Sequence, residues 1–337
     1  MAAGCPETCR RVDYEREKRM LRYILRRVLW LIPVIIVISF IVYGLMDLAP
    51  GSVIDTIDTS QLTEEQIAEL YKKYDLDKSM VYRYGKYMFN LVQGDLGKSM
   101  STGRSVWDDF SRGFPFTLRL TLVSLIIGVA IAIPLGIFAA KHAGSILDTL
   151  TTGFTLMGMS MPSFWIGLLL VMLFSARLKW LPAIYTEGNP LCYIMPGLTG
   201  GLMMSATVTR QTRSAMLEVI RADYMRTAQA KGVTQKQLTW KHALRNAWIP
   251  IITQIGVTMG RTLAGSAVVE TVYSWPGIGR LTVTAVAQRD AIMACGLVIL
   301  TCILYVIVLL IVDLIYAFVD PRIKAQYQRG AKRRTAA

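Results

Sequence analysis

The sequence contains few of the side chains that build catalytic and metal centres. Two histidines, His142 and His242, and five cysteines occur among its 337 residues. Neither histidine stands at the spacing of a zinc-ligand set or of a nucleophile with its base. Cys5 and Cys9 would supply only half of a tetrahedral zinc site. This scarcity argues against a metal-dependent or serine-type intramembrane enzyme, and it implies no disulfide framework.

Acidic residues are also scarce, with 23 Asp and Glu against 37 Lys and Arg. The net charge of +14 needs no nucleic acid to explain it, because basic segments beside membrane spans match anionic inner-leaflet lipids. Hydrophobic residues make up 53% of the chain and the mean hydropathy is +0.41, above the apolar share of a soluble domain. Composition therefore predicts a membrane protein in contact with lipid.

Six apolar stretches have the length of membrane spans. A helix needs about 20 apolar residues to cross roughly 30 Å of hydrocarbon. The predicted spans are residues 28–46, 118–140, 151–176, 194–208, 248–269 and 294–318. We therefore predict an all-α polytopic membrane protein with six transmembrane helices and both termini on one side.

The distribution of Lys and Arg predicts the orientation. With both termini cytoplasmic, the inner segments hold 23 of the 37 basic residues and the outer segments hold 12, as expected when cytoplasmic segments carry the positive excess. The external segment 47–116 offsets its eight basic residues with eleven acidic ones. The predicted organisation is a disordered extension at 1–19, a first transmembrane helix at 20–46, an external helical loop domain at 47–116, a transmembrane domain at 117–320 with coupling helices at about 215–245, and a basic cytoplasmic tail at 321–337.

The start of the chain admits two other interpretations. MLRYILRRVLWLIPVIIVISF is basic and then apolar like a secretory signal, but it lacks a clear small-x-small cleavage site, which favours an uncleaved span. The residues before Met20 are polar and without an apolar period. They are either a disordered extension or the product of an upstream start codon.

The external segment contains a Gly-Lys-Ser sequence that resembles a phosphate-binding loop. In QGDLGKSM, residues 93–100, Val92 occupies the position of the first required glycine, and the flanks supply no strand–turn–helix unit. We predict a Gly-rich turn outside the cell that binds no ATP. Upstream, an amphipathic face predicts a helical cap over the outer mouth, formed by Leu62, Ile67, Leu70, Tyr71 and Tyr74.

The longest inner loop, 209–247, carries two helix signals separated by Gly232. The first helix is predicted over 215–231, since Gly232 favours a left-handed stop. Thr234 and Gln237 form a capping box that starts a second helix toward residue 248. Small and basic residues around the bend favour docking of a partner: Ala228, Ala230, Gly232, Arg226, Lys231 and Lys236. The alternative is a basic loop at the lipid surface.

Several residues within the spans are candidates for a transport path or gate. The bilayer disfavours the charge of Arg261, so this residue should face protein or water, as a substrate contact or as a donor to backbone carbonyls. Pro162 should break the third span and line a cavity. Glu270 is expected to pair with Arg280 or to line the outer gate. The path candidates are Met157, Met161, Pro162, Arg261 and Glu270, although core filling is the commoner role for methionine.

Two further intramembrane features are expected to be structural. Asp313 should pair with Arg322 or with a basic residue of the inner loop. Gly197 with Gly201, and Gly256 with Gly260, form G-x-x-x-G faces that favour close helix packing.

Motifs along the chain together point to one family. They are MLRYILRRVLWLIPVIIVISF, GDLGKS, MPSFWIGLLL, TRSAMLEVIRADYMRTAQAKG, HALRN, ETVYSWPGIGRL and VDLIYAFVDPR. RTAQAKG with HALRN resembles the Glu-Ala-Ala loop of ABC importer permeases, in the form typical of the dipeptide, oligopeptide and nickel permeases. The resemblance covers residues 20–324.

The resemblance implies a non-enzymatic subunit of the cell inner membrane that pairs with a second, homologous permease to form the substrate path. One or two ABC ATPase subunits would hold ATP and Mg, and an extracytoplasmic substrate-binding protein would deliver cargo. The chain itself would bind no cofactor or metal. The residues that would couple to the ATPase are Asp223, Tyr224, Arg226, Thr227, Ala228, Gln229, Ala230, Lys231, Gly232, His242 and Arg245.

The chain departs from the family pattern at a few positions. Arg226 and Thr227 replace the Glu and first Ala of the loop, and Arg245 replaces a proline, as is usual in this branch. Ala291 and Ile292 replace a frequent Tyr-Pro pair near the outer face, which leaves docking or cargo choice open.

Other functions fit less well. Within the same architecture, nickel or a metal chelate is the alternative to peptide cargo. An ion-coupled secondary transporter would need paired intramembrane carboxylates and usually an internal repeat, and only Asp313 is clearly an intramembrane acid. A receptor or scaffold would leave Arg261 and Pro162 without a role.

Overall fold

The computed structural model describes residues 7–49, 54 and 63–319. Within these residues the chain is helical apart from loops and one isolated antiparallel bridge between Lys98 and Ser105. The helices are α1 (Glu7–Leu48), α2 (Glu64–Lys73), α3 (Met80–Val92), α4 (Val106–Lys141), α5 (Ile146–Ser160), α6 (Ser163–Leu170), α7 (Ile194–Ile220), α8 (Asp223–Ala230), α9 (Gln235–Gln237), α10 (Leu244–Gly265), α11 (Ala267–Val272), α12 (Ile278–Ala287) and α13 (Ala291–Val319). A π-helix (Val171–Arg177) extends α6, a 3-10 helix (Pro190–Tyr193) precedes α7, and a π-helical segment (Leu238–Ala243) joins α9 to α10. The predicted all-α class is confirmed.

Four helices of the described chain are long and apolar enough to cross a membrane, and α5 with α6 makes a fifth if the bent pair is one span. The four are Leu25–Leu48, Val106–Lys141, Pro190–Ile220 and Ala291–Leu314. The predicted span 248–269 falls on α10 and α11 and is not among them, since Gln254 and Arg261 make this segment more polar. The structure therefore supports a polytopic membrane protein, and six spans stay a prediction.

Two helices extend well beyond their predicted spans. α4 begins at Val106 although the predicted span begins at residue 118, and α7 reaches Ile220 although the predicted span ends at residue 208. A helix continues past its membrane-crossing part wherever neighbouring chain covers its apolar side, so hydropathy alone underestimates its length.

α1 likewise begins before its predicted span. Its first residue is Glu7, so residues 7–19, for which the sequence predicts disorder, are helical. The segment is rich in Glu, Arg and Lys, which have high helix propensity, and Glu15 precedes Arg19 by four residues. Near the middle of α1, Arg27 forms an ion pair with Asp313 of α13. The prediction that Asp313 forms a structural ion pair is confirmed, but its partner is Arg27 of α1. Of the partners expected from sequence, Arg322 lies outside the described residues.

Small residues bring the central helices together. A Cβ on Gly201 of α7 would lie 2.8 Å from the Ile127 side chain of α4, and one on Gly136 of α4 would lie 2.6 Å from Thr212 of α7. A Cβ on Gly260 of α10 would lie 3.1 Å from the Tyr305 ring of α13. The predicted glycine faces are therefore packing faces, and they bring α4 close to α7, which runs parallel to it, and α10 close to α13, which runs antiparallel to it.

The bundle has two ends of different character. We call the end that carries residues 142–145 and 221–234 the basic face, and the end that carries residues 63–105, 178–189 and 273–290 the loop face. Buried side chains of α4, α7, α8 and α10 pack together at the basic face, among them Ile137, Met216, Met225 and Leu244. At the loop face, Trp275 and Tyr273 pack with Leu120 and Met195.

The segment that is predicted to be external forms two helices and a turn at the loop face. Ile67, Tyr71 and Tyr74 of the predicted amphipathic face pack against Ile54 and Met100; Leu62 and the Leu70 side chain lie outside the described part. Ser79 caps α3 by accepting a hydrogen bond from the Tyr82 amide.

Tyr residues of α3 attach this helix to α1. The Tyr84 ring packs edge-on against Tyr43 and Phe40 of α1, and Tyr87 is buried beside Tyr43. Burial raises the pKa of the Tyr87 hydroxyl. Packing is therefore the observed role of Tyr84 and Tyr87, while Tyr82 is exposed.

The QGDLGKSM segment is a glycine turn, as predicted. Gly94 and Gly97 have φ of +88° and +81°, in the left-handed region that favours glycine. The Gly97 amide donates to Asp95 Oδ1 at 2.8 Å. Ser99 Oγ donates to Asp290 Oδ2 at 2.6 Å, and a Cβ on Gly97 would lie 2.7 Å from Ile292. The turn thus attaches the segment before α4 to the start of α13.

Candidate functional site

The inner loop folds into a bend of short helices at the basic face. α7 ends at Ile220, and the extended backbone of Ala222 (φ −73°, ψ 145°) starts α8 in a new direction. The single helix predicted over 215–231 is therefore interrupted. The break allows Met225, 3% exposed, to pack against the core of the basic face, so tertiary packing overrides local helix propensity.

The end of the bend follows the prediction from sequence. α8 ends at Ala230, and Gly232 takes φ +78°. Thr234 caps the next helix by accepting a hydrogen bond from the Gln237 amide at 3.4 Å. A Cβ added to Gly232 would meet no atom within 4 Å, so the turn is open to the surroundings.

The structure brings most of the predicted coupling residues together on one exposed surface. We call this surface the bend surface; its exposed members are Asp223, Tyr224, Arg226, Thr227, Gln229, Ala230, Lys231 and Gly232. Ala228 is half-buried against the core. His242 lies half-buried in the π-helical segment and Arg245 is exposed at the start of α10, so neither belongs to α8.

Two residues of this region were not predicted from the sequence as functional residues. Met225 anchors α8 in the core; in the sequence it is an apolar residue at the centre of a polar run, which was the available signal. Trp240 is 53% exposed in the π-helical segment that packs beside α8. A large exposed indole between basic residues was the available signal for a contact surface.

The predicted path residues do not form one cluster. α5 ends at Ser160, α6 begins at Ser163 after Pro162, and their axes differ by 102°. The predicted break of the third span is therefore present. Met157 is 58% exposed, Pro162 is exposed and Met161 is half-buried.

Glu270 lies in a fully enclosed polar nest at the loop face. Its Oε1 accepts hydrogen bonds from Thr117 Oγ1 and Ser266 Oγ, both at 2.7 Å. Its Oε2 accepts from the Arg280 backbone amide at 2.9 Å. The Arg280 amide belongs to the first turn of α12, where the helix dipole favours an anion. Glu270 thus holds α4, α11 and α12 together.

The surrounding motif explains why the nest is so compact. The Arg280 guanidinium donates to the Ser274 carbonyl at 2.7 Å, so the expected pairing of Glu270 with Arg280 runs through the backbone amide. A Cβ on Gly279 would lie 2.6 Å from Ala267 Cα. The carboxylate has 0% exposure, so its contacts here are with protein groups.

A cleft of about 320 Å³ lies between α7 and α10, toward the basic face. Its lining combines two amide side chains and a hydroxyl with apolar groups: Gln211, Ile249, Pro250, Thr253, Gln254 and Val257. Gln254 Nε2 donates to Thr258 Oγ1 at 3.0 Å. None of these residues was predicted as a path residue, and two glutamines within apolar helices were the signal for them.

Arg261 lies on α10 beyond this cleft, and it is exposed. Its guanidinium has no hydrogen bond or ion pair with the residues that the structure describes. Arg119, the other arginine within the spans predicted from sequence, lies with its guanidinium carbon 5.9 Å from the centre of the Phe116 ring.

Comparison with known proteins agrees with this architecture. Residues 132–325 match the family described as binding-protein-dependent transport system inner membrane component, and residues 20–121 match the N-terminal region of such membrane components. The dipeptide transport system permease protein DppB of Escherichia coli K12 is 36% identical over 336 residues, covering 90% of this chain and 99% of the relative. The glutathione transport system permease protein GsiC of Escherichia coli O6:H1 is 37% identical over 305 residues, covering 90% and 99%.

The fold also resembles a solved transporter. The inward-facing MetNI methionine ABC transporter superposes with a TM-score of 0.53 at 20% identity, covering 63% of this chain and 96% of the transporter chain. At this identity the likeness concerns the fold alone.

Proposed function

The chain belongs to the family of binding-protein-dependent transport system inner membrane components, and from this premise we propose that it is the permease subunit of an ABC importer for dipeptides or short oligopeptides. The cargo proposal rests on relatives at 36% and 37% identity, which are named for dipeptide and for glutathione transport. Both cargoes contain peptide bonds. Import of nickel or a metal chelate is the alternative within the same architecture.

The observation that carries the mechanism is the geometry of the bend surface. Met225 is fixed in the core while Tyr224, Arg226 and Lys231 stand exposed beside it. A short helix that is anchored on one side and open on the other can transmit a push to the helices it packs against. In our proposal the bend surface docks in a cleft of an ABC ATPase, which binds ATP and Mg.

The remaining parts of the proposal concern topology and partners. The chain crosses the inner membrane six times, with its termini and basic face in the cytoplasm and its loop face outside. A second, homologous permease completes the path, and an extracytoplasmic binding protein delivers the cargo. Pro162, Met157, Met161 and Arg261 contribute to the path, while the enclosed contacts of Glu270 favour a role in positioning the outer gate.

Transport by reconstituted proteoliposomes tests the proposed function directly. We expect uptake of a labelled dipeptide only when the two permeases, the ATPase subunits, the binding protein and ATP are all present. Uptake by this chain alone, driven by a proton or sodium gradient, would show that the importer assignment is wrong.

The docking role is tested at Gly232. The substitution Gly232→Trp places an indole in the open turn, and we expect it to lower uptake per ATP hydrolysed at least tenfold. Gly188→Trp is a matched control, because Gly188 also has φ +78° and no atom within 4 Å of an added Cβ, but lies at the loop face. Equal uptake per ATP in the two variants would exclude a coupling role for the bend.

A further inference from the structure

One side of α10, half-buried at Gln254 and exposed at Arg261, forms a stripe with these two polar residues that begins in the cleft. Gln254 and Arg261 are seven residues apart, so they project within about 20° of each other around the helix and about 10 Å apart along it. Pro250 and Val257 of the cleft lie on the same side. The stripe therefore leads from the cleft along α10 to the guanidinium of Arg261.

The stripe lies on a different side of α10 from the glycine face that packs on α13, since Arg261 projects about 100° around the helix from Gly260. Gly256 and Gly260 face α13, where an added Cβ on Gly260 would lie 3.1 Å from the Tyr305 ring. Arg261 projects about 140° around the helix from Gly256, at 100° per residue. The guanidinium consequently points away from α13, toward the open side of the chain.

Lipid is an unfavourable environment for this side. A guanidinium and glutamine amides within a span face protein or a water-filled cavity, because hydrocarbon offers them no hydrogen bonds. Within the described residues the Arg261 guanidinium has no acidic partner, so an anion in the cavity would be its first counter-charge. Guanidinium binds carboxylate through two parallel hydrogen bonds.

We infer that Arg261 binds the C-terminal carboxylate of a peptide cargo, while Gln211 and Gln254 bind its amide groups; this inference rests on the proposed function. A glutamine amide both donates and accepts, as a peptide bond requires. The cleft volume of about 320 Å³ lies at the lower end of small-molecule sites. A bare metal cation would be repelled by Arg261, so the stripe favours peptide over metal.

The test compares a dipeptide with its own C-terminal amide. Dialanine and dialanine amide are each supplied at concentrations that saturate the same binding protein, in proteoliposomes with the whole complex. We expect Arg261→Gln to lower dialanine uptake about tenfold and to change amide uptake less than twofold. Arg261→Lys should recover part of the loss, because it restores the charge without the paired hydrogen bonds.

The matched control is Arg119→Gln, which removes the other exposed arginine of the spans predicted from sequence. It should leave the ratio of acid to amide uptake at the wild-type value. A second measurement omits the binding protein and follows equilibrium binding of both probes to the complex in nanodiscs. There, Arg261→Gln should weaken acid binding and leave amide binding unchanged.

Two outcomes would overturn the inference: an unchanged acid-to-amide ratio in Arg261→Gln, whether or not uptake of both probes falls, or an equal change of that ratio in Arg119→Gln. Either of these can occur while wild-type uptake stays ATP-dependent, so failure of this inference differs from failure of the proposed function. Failure of the proposed function would appear as a wild-type complex that takes up neither probe.

Discussion

Glu270 at the loop face and the bend surface at the basic face place charged groups in opposite surroundings. At the loop face, Glu270 is fully buried and receives hydrogen bonds from Thr117, Ser266 and a backbone amide. At the basic face, Arg226 and Lys231 stand on an exposed surface. The Glu270 site is internally complete, whereas the bend surface presents charge to its surroundings.

This difference predicts which site controls the stability of the protein and which controls its coupling to a partner. Removing a buried carboxylate leaves its donors unsatisfied, so the loop face should control the free energy of unfolding. Removing an exposed charge costs little stability, so the basic face should control the response to a partner. Three substitutions test this separation, in order of decreasing effect on stability.

The largest effect is expected at the buried nest. Glu270→Ala should lower the free energy of unfolding by about 3 kcal/mol, because three donors lose their acceptor in an enclosed site. Glu270→Gln should cost less, since it retains an acceptor oxygen. Denaturant titration in detergent micelles measures both, with Glu187→Ala as the exposed control on the same face. A loss for Glu270→Ala no larger than that of the control would contradict the nest's role.

An intermediate effect is expected at Asp148, near the basic face. Its carboxylate accepts from Arg213 Nε at 2.6 Å and Nη2 at 2.8 Å, and from the Gly144 amide at 2.9 Å. Asp148→Asn breaks the paired interaction between α5 and α7, and should cost about 1 kcal/mol, because Arg213 is partly exposed to solvent. The same titration applies, and exposed Asp108→Asn is the control. Identical midpoints for the two variants would refute a structural role for this ion pair.

The smallest effect on stability is expected on the bend surface. Arg226→Ala should change the free energy of unfolding by less than about 0.5 kcal/mol, yet lower uptake per ATP hydrolysed severalfold. Arg112→Ala, an exposed arginine of the loop-face end of α4, is the control and should change neither quantity. Normal coupling in Arg226→Ala, or a stability loss comparable to that of Glu270→Ala, would contradict the separate roles of the bend surface and the Glu270 site.

Local features of the fold were predictable from sequence because their causes are local. The break at Pro162, the left-handed stop at Gly232 and the cap at Thr234 each depend on one residue and its neighbours. The glycine packing faces were predictable for the same reason, since their spacing follows the helical period.

Features that depend on distant segments were not predictable in this way. The break between α7 and α8 follows from burial of Met225 against three other helices, and no residue at the break signals it. The ion pair of Arg27 with Asp313 joins residues 286 apart in sequence. The stripe of Gln254 and Arg261 required knowledge of which side of α10 faces α13.

The attachment of the glycine turn to α13 has a consequence for motion. Ser99 and Ser101 both donate hydrogen bonds to Asp290, so the loop-face ends of α4 and α13 are connected to each other. If the bundle opens toward the outside as a hinged assembly, these two helices must travel as a unit. Separation then falls to segments outside this contact, such as the break at Pro162, where the axes of α5 and α6 differ by 102°.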